Sequence, residues 1–316
     1  MRLRYIPSVH QKHLDTITHT ALSAVMLDSD CAVVCMGVGN APLVRMLELH
    51  GRTLVFNVDG PDWQRRKWEG FASWYLRRCE RLAANGRSIL VADAETVQDY
   101  YATQFGRSTE LVAYGAEPPV DHGTEMLERF GLQSRRYLLF VGRLVPENAP
   151  HDFLAAVTQA KLGVPAVVVG DAPYAKEYIA RLRGSAPAEA VFTGYQFGNA
   201  YQQLSAHAGA FVLAASVGGT HPVLVEQMAA GNCILARDTA SNREVLGDVG
   251  ILWENLAELA DQLRIVWRDA DLRGRLGEAA ARRAREHYNW DLVARQYVEL
   301  CERSLARPRG IRARRD

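Results

Sequence analysis

Three stretches of the sequence combine residue types at spacings that suit chemistry on a phosphorylated ligand. The first is Phe140-Val-Gly-Arg-Leu-Val-Pro-Glu-Asn148. Gly142 lets the chain turn closely after an apolar run, and Arg143 follows it at once. The planar guanidinium fork can hold a diphosphate bidentately; it can equally pair with Glu147 on the surface. The second is Val217-Gly-Gly-Thr-His-Pro-Val-Leu-Val-Glu226. Gly218 and Gly219 follow an apolar run, Thr220 is a candidate N-cap, and Pro222 suits a first helical turn. A glycine-rich turn that opens a helix presents free N–H groups and the positive helix end to an anion. Glu226 falls one turn into that helix, where a carboxylate can accept hydrogen bonds from sugar or ribose hydroxyls, or can remain an exposed helix glutamate. The third is Phe192-Thr-Gly-Tyr-Gln196. The backbone at Gly194 can meet a nucleobase edge there, or form a plain loop.

Those residues need a frame that brings strand ends together, and the periodicity predicts one. Apolar runs at 32–36, 53–58, 88–92 and 111–114 alternate with helical patterns at 14–27, 41–49, 68–84 and 95–105. A short strand is read at 2–6. Residues 116–135 break the alternation with turn chemistry, Glu117-Pro-Pro-Val-Asp-His-Gly123. A second series follows, with strands at 137–141, 165–169, 190–192, 210–213 and 233–236. Its helices are read at 149–160, 174–183, 200–208, 222–230, 242–246, 257–267, 272–287 and 291–305. The fold class read from this is α/β, with two doubly wound Rossmann-like domains facing across a cleft. Such sheets take ligands at the carboxyl ends of their strands. The expected domains are 1–118, a linker at 119–135, and 136–290. A helix at 291–306 is expected to pack back on the N-terminal domain, ahead of a basic, disordered tail at 307–316.

Composition bounds the rest. The 316 residues are 48% hydrophobic and 23% charged, with a formal charge of +1. That excludes a global field for polyanions, and nucleic acid is not an expected partner. The five cysteines are scattered at spacings that fit neither a disulfide framework nor a zinc site. Buried thiols in a reducing cytoplasm are the expectation. No apolar stretch reaches the roughly 18 residues that span a bilayer.

The ordered set Val141-Gly-Arg-Leu-Val-Pro-Glu147, Phe192-Thr-Gly194, Pro222-Val-Leu-Val-Glu-Gln-Met-Ala-Ala-Gly231, Asn242-Arg-Glu-Val-Leu-Gly247 and His287-Tyr-Asn-Trp290 resembles the family-4 retaining glycosyltransferases of the GT-B type. Tyr5-Ile-Pro-Ser8, Gly37-Val-Gly-Asn-Ala-Pro42, Asn57-Val-Asp-Gly60 with Trp63-Gln-Arg-Arg-Lys-Trp68, and Ser216-Val-Gly-Gly-Thr-His-Pro222 look like bacterial rhamnosyltransferases of polysaccharide synthesis. The resemblance implies transfer of a sugar, with retention, from a nucleoside diphosphate donor to a glycan or lipid-linked acceptor. The donor would be dTDP-rhamnose or a UDP- or GDP-sugar, used as substrate with no cofactor and no metal. It implies donor contacts at Gly142, Arg143, Asn148, Gly194, Gly218, Gly219, Thr220, His221 and Glu226, with Arg143, Glu226 and Asp59 catalytic.

The chain departs from the family in three places. Of two glutamates usually eight positions apart, the first is Gly218 here and the second is Glu226. A lysine common after the arginine is replaced near Asn148. Relatives also open with a strand and glycine-rich loop before the segment that resembles 2–7. The expectation is a start site upstream or a reduced acceptor domain, and a non-catalytic nucleotide- or glycan-binding relative is the alternative reading. A nucleotide-sugar epimerase on the same plan is a further one. Acceptor-side candidates are His10, His13, Asn40 and Asp59. Asp59 can orient or deprotonate a hydroxyl, or simply form an Asp-Gly turn. Trp63–Trp68 and the arginine tail are expected to touch the inner membrane face, although two core tryptophans at a helix start fit the same pattern.

Overall fold

The computed structural model describes residues 5–7, 15–28, 30–60, 71–216 and 219–307. The chain divides into two compact units. One holds Met1–Ala113 with Val293–Asp316, and the other holds Tyr114–Leu292.

In the first unit, α1 (Asp15–Val25), β1 (Val34–Met36), α2 (Ala41–Leu49), β2 (Val55–Asn57), α3 (Phe71–Ala84), β3 (Ile89–Ala92), α4 (Glu95–Phe105) and β4 (Glu110–Leu111) alternate. Their strands form a parallel sheet in the order β1-β2-β3-β4. β2 and β3 are buried throughout, and apart from Asn57 their residues are apolar, as suits central strands of a parallel sheet. One face of the sheet packs on Val38, Ala41, Leu76, Cys79 and Tyr101. The other face is covered from the far end of the sequence, where Val293 and Leu300 pack on Val55, Ile89, Val91 and Val112. The strand read at 2–6 is not formed at Tyr5–Pro7, and its first residues lie outside the described ones.

The second unit begins with α5 (Glu125–Phe130), inside the stretch read from sequence as linker. Gln203 explains why the helix forms: its side chain accepts from the Met126 amide and donates to the Glu125 carboxylate. β5 (Leu138–Val141), α6 (Pro150–Ala160), β6 (Ala166–Val169), α7 (Lys176–Gly184), β7 (Ala190–Gly194), α8 (Gly198–Ala206), β8 (Ala210–Leu213), α9 (Pro222–Ala229) and β9 (Cys233–Arg237) follow. Next come α10 (Ala240–Leu246), β10 (Ile251–Trp253), α11 (Leu256–Arg268) and α12 (Ala270–His287), and then α13 (Trp290–Ala306), which belongs from Val293 onward to the first unit. β10 is a three-residue edge strand that the sequence reading lacked; its register is set by pairing with β9.

The sheet order is β10-β9-β8-β5-β6-β7, all parallel. Numbered within the unit this is 3-2-1-4-5-6, the doubly wound order whose direction reverses between its first and fourth strands. Here those are β5 and β8. Phe140 and Phe153 stack beneath that point, with centroids 5.8 Å apart.

Candidate functional site

The reversal between β5 and β8 places two loops side by side at the carboxyl edge of the sheet, and they are the two read from sequence as diphosphate-binding. Gly142 leaves β5 with its amide donating to Val169 O at 3.0 Å. Arg143 is half-buried beside it and has no ion-pair partner among the described residues, Glu147 included. Asn148 turns its amide back to donate to Arg143 O at 2.9 Å. It therefore pins the loop that presents the arginine. Ala149, at φ 50°, then caps α6, with Pro150 at the first helical position.

Across the switch, β8 leads through Ala214 and Ala215 to the turn before α9. Gly218 lies outside the described residues, as do His10 and His13. Gly219 and Thr220 are buried. The helix begins at Pro222, so its N-cap is His221 and Thr220 sits one residue earlier. That corrects the N-cap assigned to Thr220. The extended backbone of His221 (φ −81°, ψ 114°) ends the turn and leaves the first amides of α9 facing the carboxyl edge.

Backbone bonds tie these loops to their neighbours. Leu144 N donates to Asp171 O, and Gly170 N donates to Gly194 O at 2.8 Å. Gly170 has φ 134° and runs so close to Gly142 that a Cβ would overlap its carbonyl oxygen. Gly194 ends β7 at φ 71°.

Two supports were not legible in the sequence. Arg237 stacks over Trp253 at 4.2 Å, bonds the Asp152 carboxylate, and donates through Nε to Ala214 O at 2.9 Å. It joins the first turn of α6 to the start of the β8 loop. The second support surrounds Glu226, which is half-buried rather than exposed. Its Oε2 accepts from Tyr201 Oη at 2.6 Å. Gln227 donates to Tyr201 Oη and Ser205 Oγ, and accepts from Asn232, whose Oδ1 accepts from Arg135. This polar chain crosses the interior between α8 and α9.

Burial pushes the Glu226 carboxyl above its usual range, and the Tyr201 hydrogen bond opposes that rise. A carboxyl raised in the fold contributes stability below its unfolded value, and loses it as pH rises through the folded one. Tyr201→Phe leaves the charged form without its donor. It is expected to lower stability by about 1–2 kcal/mol near neutral pH, and by clearly less near pH 4. Denaturant melts at both pH values check this; an equal loss at both would show that the carboxylate plays no part.

In the first unit, Asp59 follows β2 at φ 59°, with its amide donating to Asn57 Oδ1 and its carboxylate accepting from Gly60 N. That is the turn geometry, and the carboxylate remains half-exposed. Asn40 is 5% exposed, and its amide donates to Met36 O at 2.9 Å. A concavity of about 560 Å³ lies along Pro173–Arg181, formed by Tyr174, Lys176, Glu177 and Tyr178. It is one short stretch of chain after β6, and the residues flanking the β5/β8 switch do not line it.

Two parallel-sheet α/β units of this kind define the GT-B class of fold. Anabaena HepE in complex with UDP-glucose is similar over 92% of this chain and 82% of its own, with a TM-score of 0.77 and 18% identity. Sucrose-phosphate synthase of Thermosynechococcus elongatus is similar over 92% and 78%, at 0.76 and 14%. WaaG, a glycosyltransferase involved in lipopolysaccharide biosynthesis, is similar over 94% and 86%, at 0.71 and 16%. Residues 135–269, within the second unit, match the family model described as glycosyl transferases group 1. Residues 33–117 match a domain of unknown function, DUF1972. No curated protein matches the chain.

Proposed function

We propose that the protein transfers a sugar from a nucleoside diphosphate donor to a hydroxyl of a glycan or lipid-linked acceptor, with retention, in the synthesis of cell-surface polysaccharide. One observation carries the reading: Arg143 and the amides at the start of α9 flank the same strand reversal, and β5 and β8 are hydrogen-bonded neighbours. Cationic and N–H donors held there stabilise the negative charge that develops on a departing diphosphate, usually the largest catalytic contribution. His221 stands at the cap of the same helix and adds a donor. Glu226, anchored by Tyr201, offers its second carboxylate oxygen to a ribose or sugar hydroxyl. No step in this account needs a metal ion.

dTDP-L-rhamnose is the first donor to try, on the resemblance of the 216–222 and 57–60 segments to rhamnosyltransferases. The HepE complexes hold UDP and UDP-glucose, so UDP-sugars stand beside it. Gly218, where many relatives have a glutamate, favours a second reading of a relative that binds donor without turnover.

The test is calorimetric titration with a nucleoside diphosphate and its monophosphate, followed by a turnover assay. The diphosphate is expected to bind at least about tenfold more tightly, one good charge-assisted contact being worth about 1.5–3 kcal/mol. Equal affinities would remove the diphosphate cradle. Binding without release of nucleoside diphosphate in the presence of lipid-linked acceptors would favour the second reading.

A further inference from the structure

The loop after β6 and the first turns of α7 form a surface that the donor site leaves unused. Ala172 is fully buried there, and the Ala175 amide donates to its carbonyl at 2.7 Å, closing a tight turn. Tyr174 stands on that turn and is 65% exposed. A lone exposed ring is ordinary, but this one lines the concavity of about 560 Å³ described above. Tyr178 adds a second, half-buried ring from α7. Its hydroxyl lies 2.7 Å from His151 Nδ1, and the two rings meet edge-on with centroids 6.0 Å apart, so α6 fixes its position. Burial pushes the Tyr178 hydroxyl up to about 12, so near neutral pH it keeps its proton and can both donate and accept.

The charges decide which ligand suits this surface. Lys176 and Arg181 line it together with Glu177. The carboxylates of Asp152 and Glu147 also act on the Tyr178 hydroxyl, and the Arg181 guanidinium opposes them. Charges of both signs leave a phosphate no net positive field, and an apolar chain would strand the charged groups. A neutral ring rich in hydroxyls fits both features. Its C–H face packs on the negative face of an aromatic ring, and its hydroxyls pair with carboxylate and guanidinium groups. The volume lies within the roughly 300–1,000 Å³ of small-ligand sites, enough for a short oligosaccharide. β6 is hydrogen-bonded to β5, so the Tyr174 loop leaves the sheet about 5 Å from the loop that carries Arg143.

We propose that Tyr174 and Tyr178, with Lys176, Glu177 and Arg181, form a glycan-binding subsite that holds neutral sugar units beside the nucleotide site without reacting with them. The two rings provide the stacking, and the charged side chains set the rotation of the sugar about it. The inference goes beyond the donor-site reading and does not rest on it.

The test is saturation-transfer NMR and titration of the full chain with neutral tetrasaccharides of glucose, galactose, mannose and rhamnose, beside the matching monosaccharides. At least one tetrasaccharide is expected to bind, and more tightly than its monosaccharide. Tyr174→Ala is expected to weaken that binding about tenfold, whereas Tyr174→Phe keeps the ring and should stay within about threefold of the parent. The exposure of Tyr174 makes either change neutral for folding, which the melting temperature checks. Affinity for nucleoside diphosphate should be the same in all three proteins, so failure here is separable from failure of the donor site. The proposal is overturned if no tetrasaccharide binds, or if Tyr174→Ala binds as the parent does. Competition by inorganic phosphate for the bound tetrasaccharide also overturns it, and assigns the concavity to anions.

Discussion

Arg143→Ala is expected to lower kcat/KM for sugar transfer by about 10²–10³ while leaving the unfolding free energy within about 0.5 kcal/mol of the parent. The two halves of that expectation have separate causes. Arg143 has no ion-pair partner among the described residues, so its removal strands no buried charge. Its loop is held by other groups, namely Asn148 on the Arg143 carbonyl and the Gly142 amide on Val169. On the proposed reading, the substitution removes a bidentate donor beside the strand reversal, whose contribution would grow as charge accumulates on the leaving diphosphate. The loss should therefore fall mainly on kcat, and the preference for nucleoside diphosphate over monophosphate should shrink. Lysine at this position should restore only part of the activity, since an ammonium lacks the planar fork. Steady-state kinetics with the best donor, alongside denaturant melts, measure both halves. Unchanged kinetics would place the diphosphate elsewhere, and a large stability loss would show Arg143 to be structural.

Gly170→Ala is expected to destabilise the second unit by on the order of 3–5 kcal/mol and to weaken nucleotide binding with it. Gly170 has a positive φ of 134°, a conformation that side chains rarely adopt. A Cβ there would overlap the Gly142 carbonyl oxygen, which is backbone and cannot rotate away. Relief requires the β5 and β6 exits to separate. That breaks the bonds from Gly142 N to Val169 O and from Leu144 N to Asp171 O. The damage thus passes directly to the loop that carries Arg143. Gly163→Ala is the matched comparison: it also has positive φ, but nothing lies within 4 Å of its would-be Cβ. It should show backbone strain alone, roughly 1–2 kcal/mol. Urea midpoints of the two variants, with nucleotide titrations on each, separate strain from collision; equal losses would dismiss the close approach as the cause.

The parts of the molecule that follow from local pattern could be read before any coordinates. α2 and α4 begin and end where their apolar spacing and flanking residues place them, and β8 is its apolar run. The two anion-binding candidates were legible because glycine, arginine and an opening helix lie within a few residues of each other. Features made by distant residues carried no such signal. Tyr201 and Glu226 are 25 positions apart, and neither has a period that announces the other. Arg237 reads as the polar end of an apolar strand; its role comes from Asp152, Ala214 and Trp253 arriving from three other elements. α5 is short and follows Pro118 and Pro119, so turn chemistry dominated its neighbourhood, and Gln203 supplies its anchor from another helix. Gly170 looked like any glycine after a strand, because close approach of two backbones is a tertiary fact.

The covering of Val55 and Val91 by Val293 and Leu300 has a consequence for how the protein is made. Synthesis is vectorial, and the residues that seal one face of the first sheet leave the ribosome only after the whole of the second unit. At about 5–20 residues per second, the strands of that sheet wait roughly 10–40 s for their cover while the whole of the second unit is translated. During that interval the valines of β2 and β3 face solvent or a chaperone. The second unit, whose core closes within a continuous stretch of chain, is thus positioned to complete first.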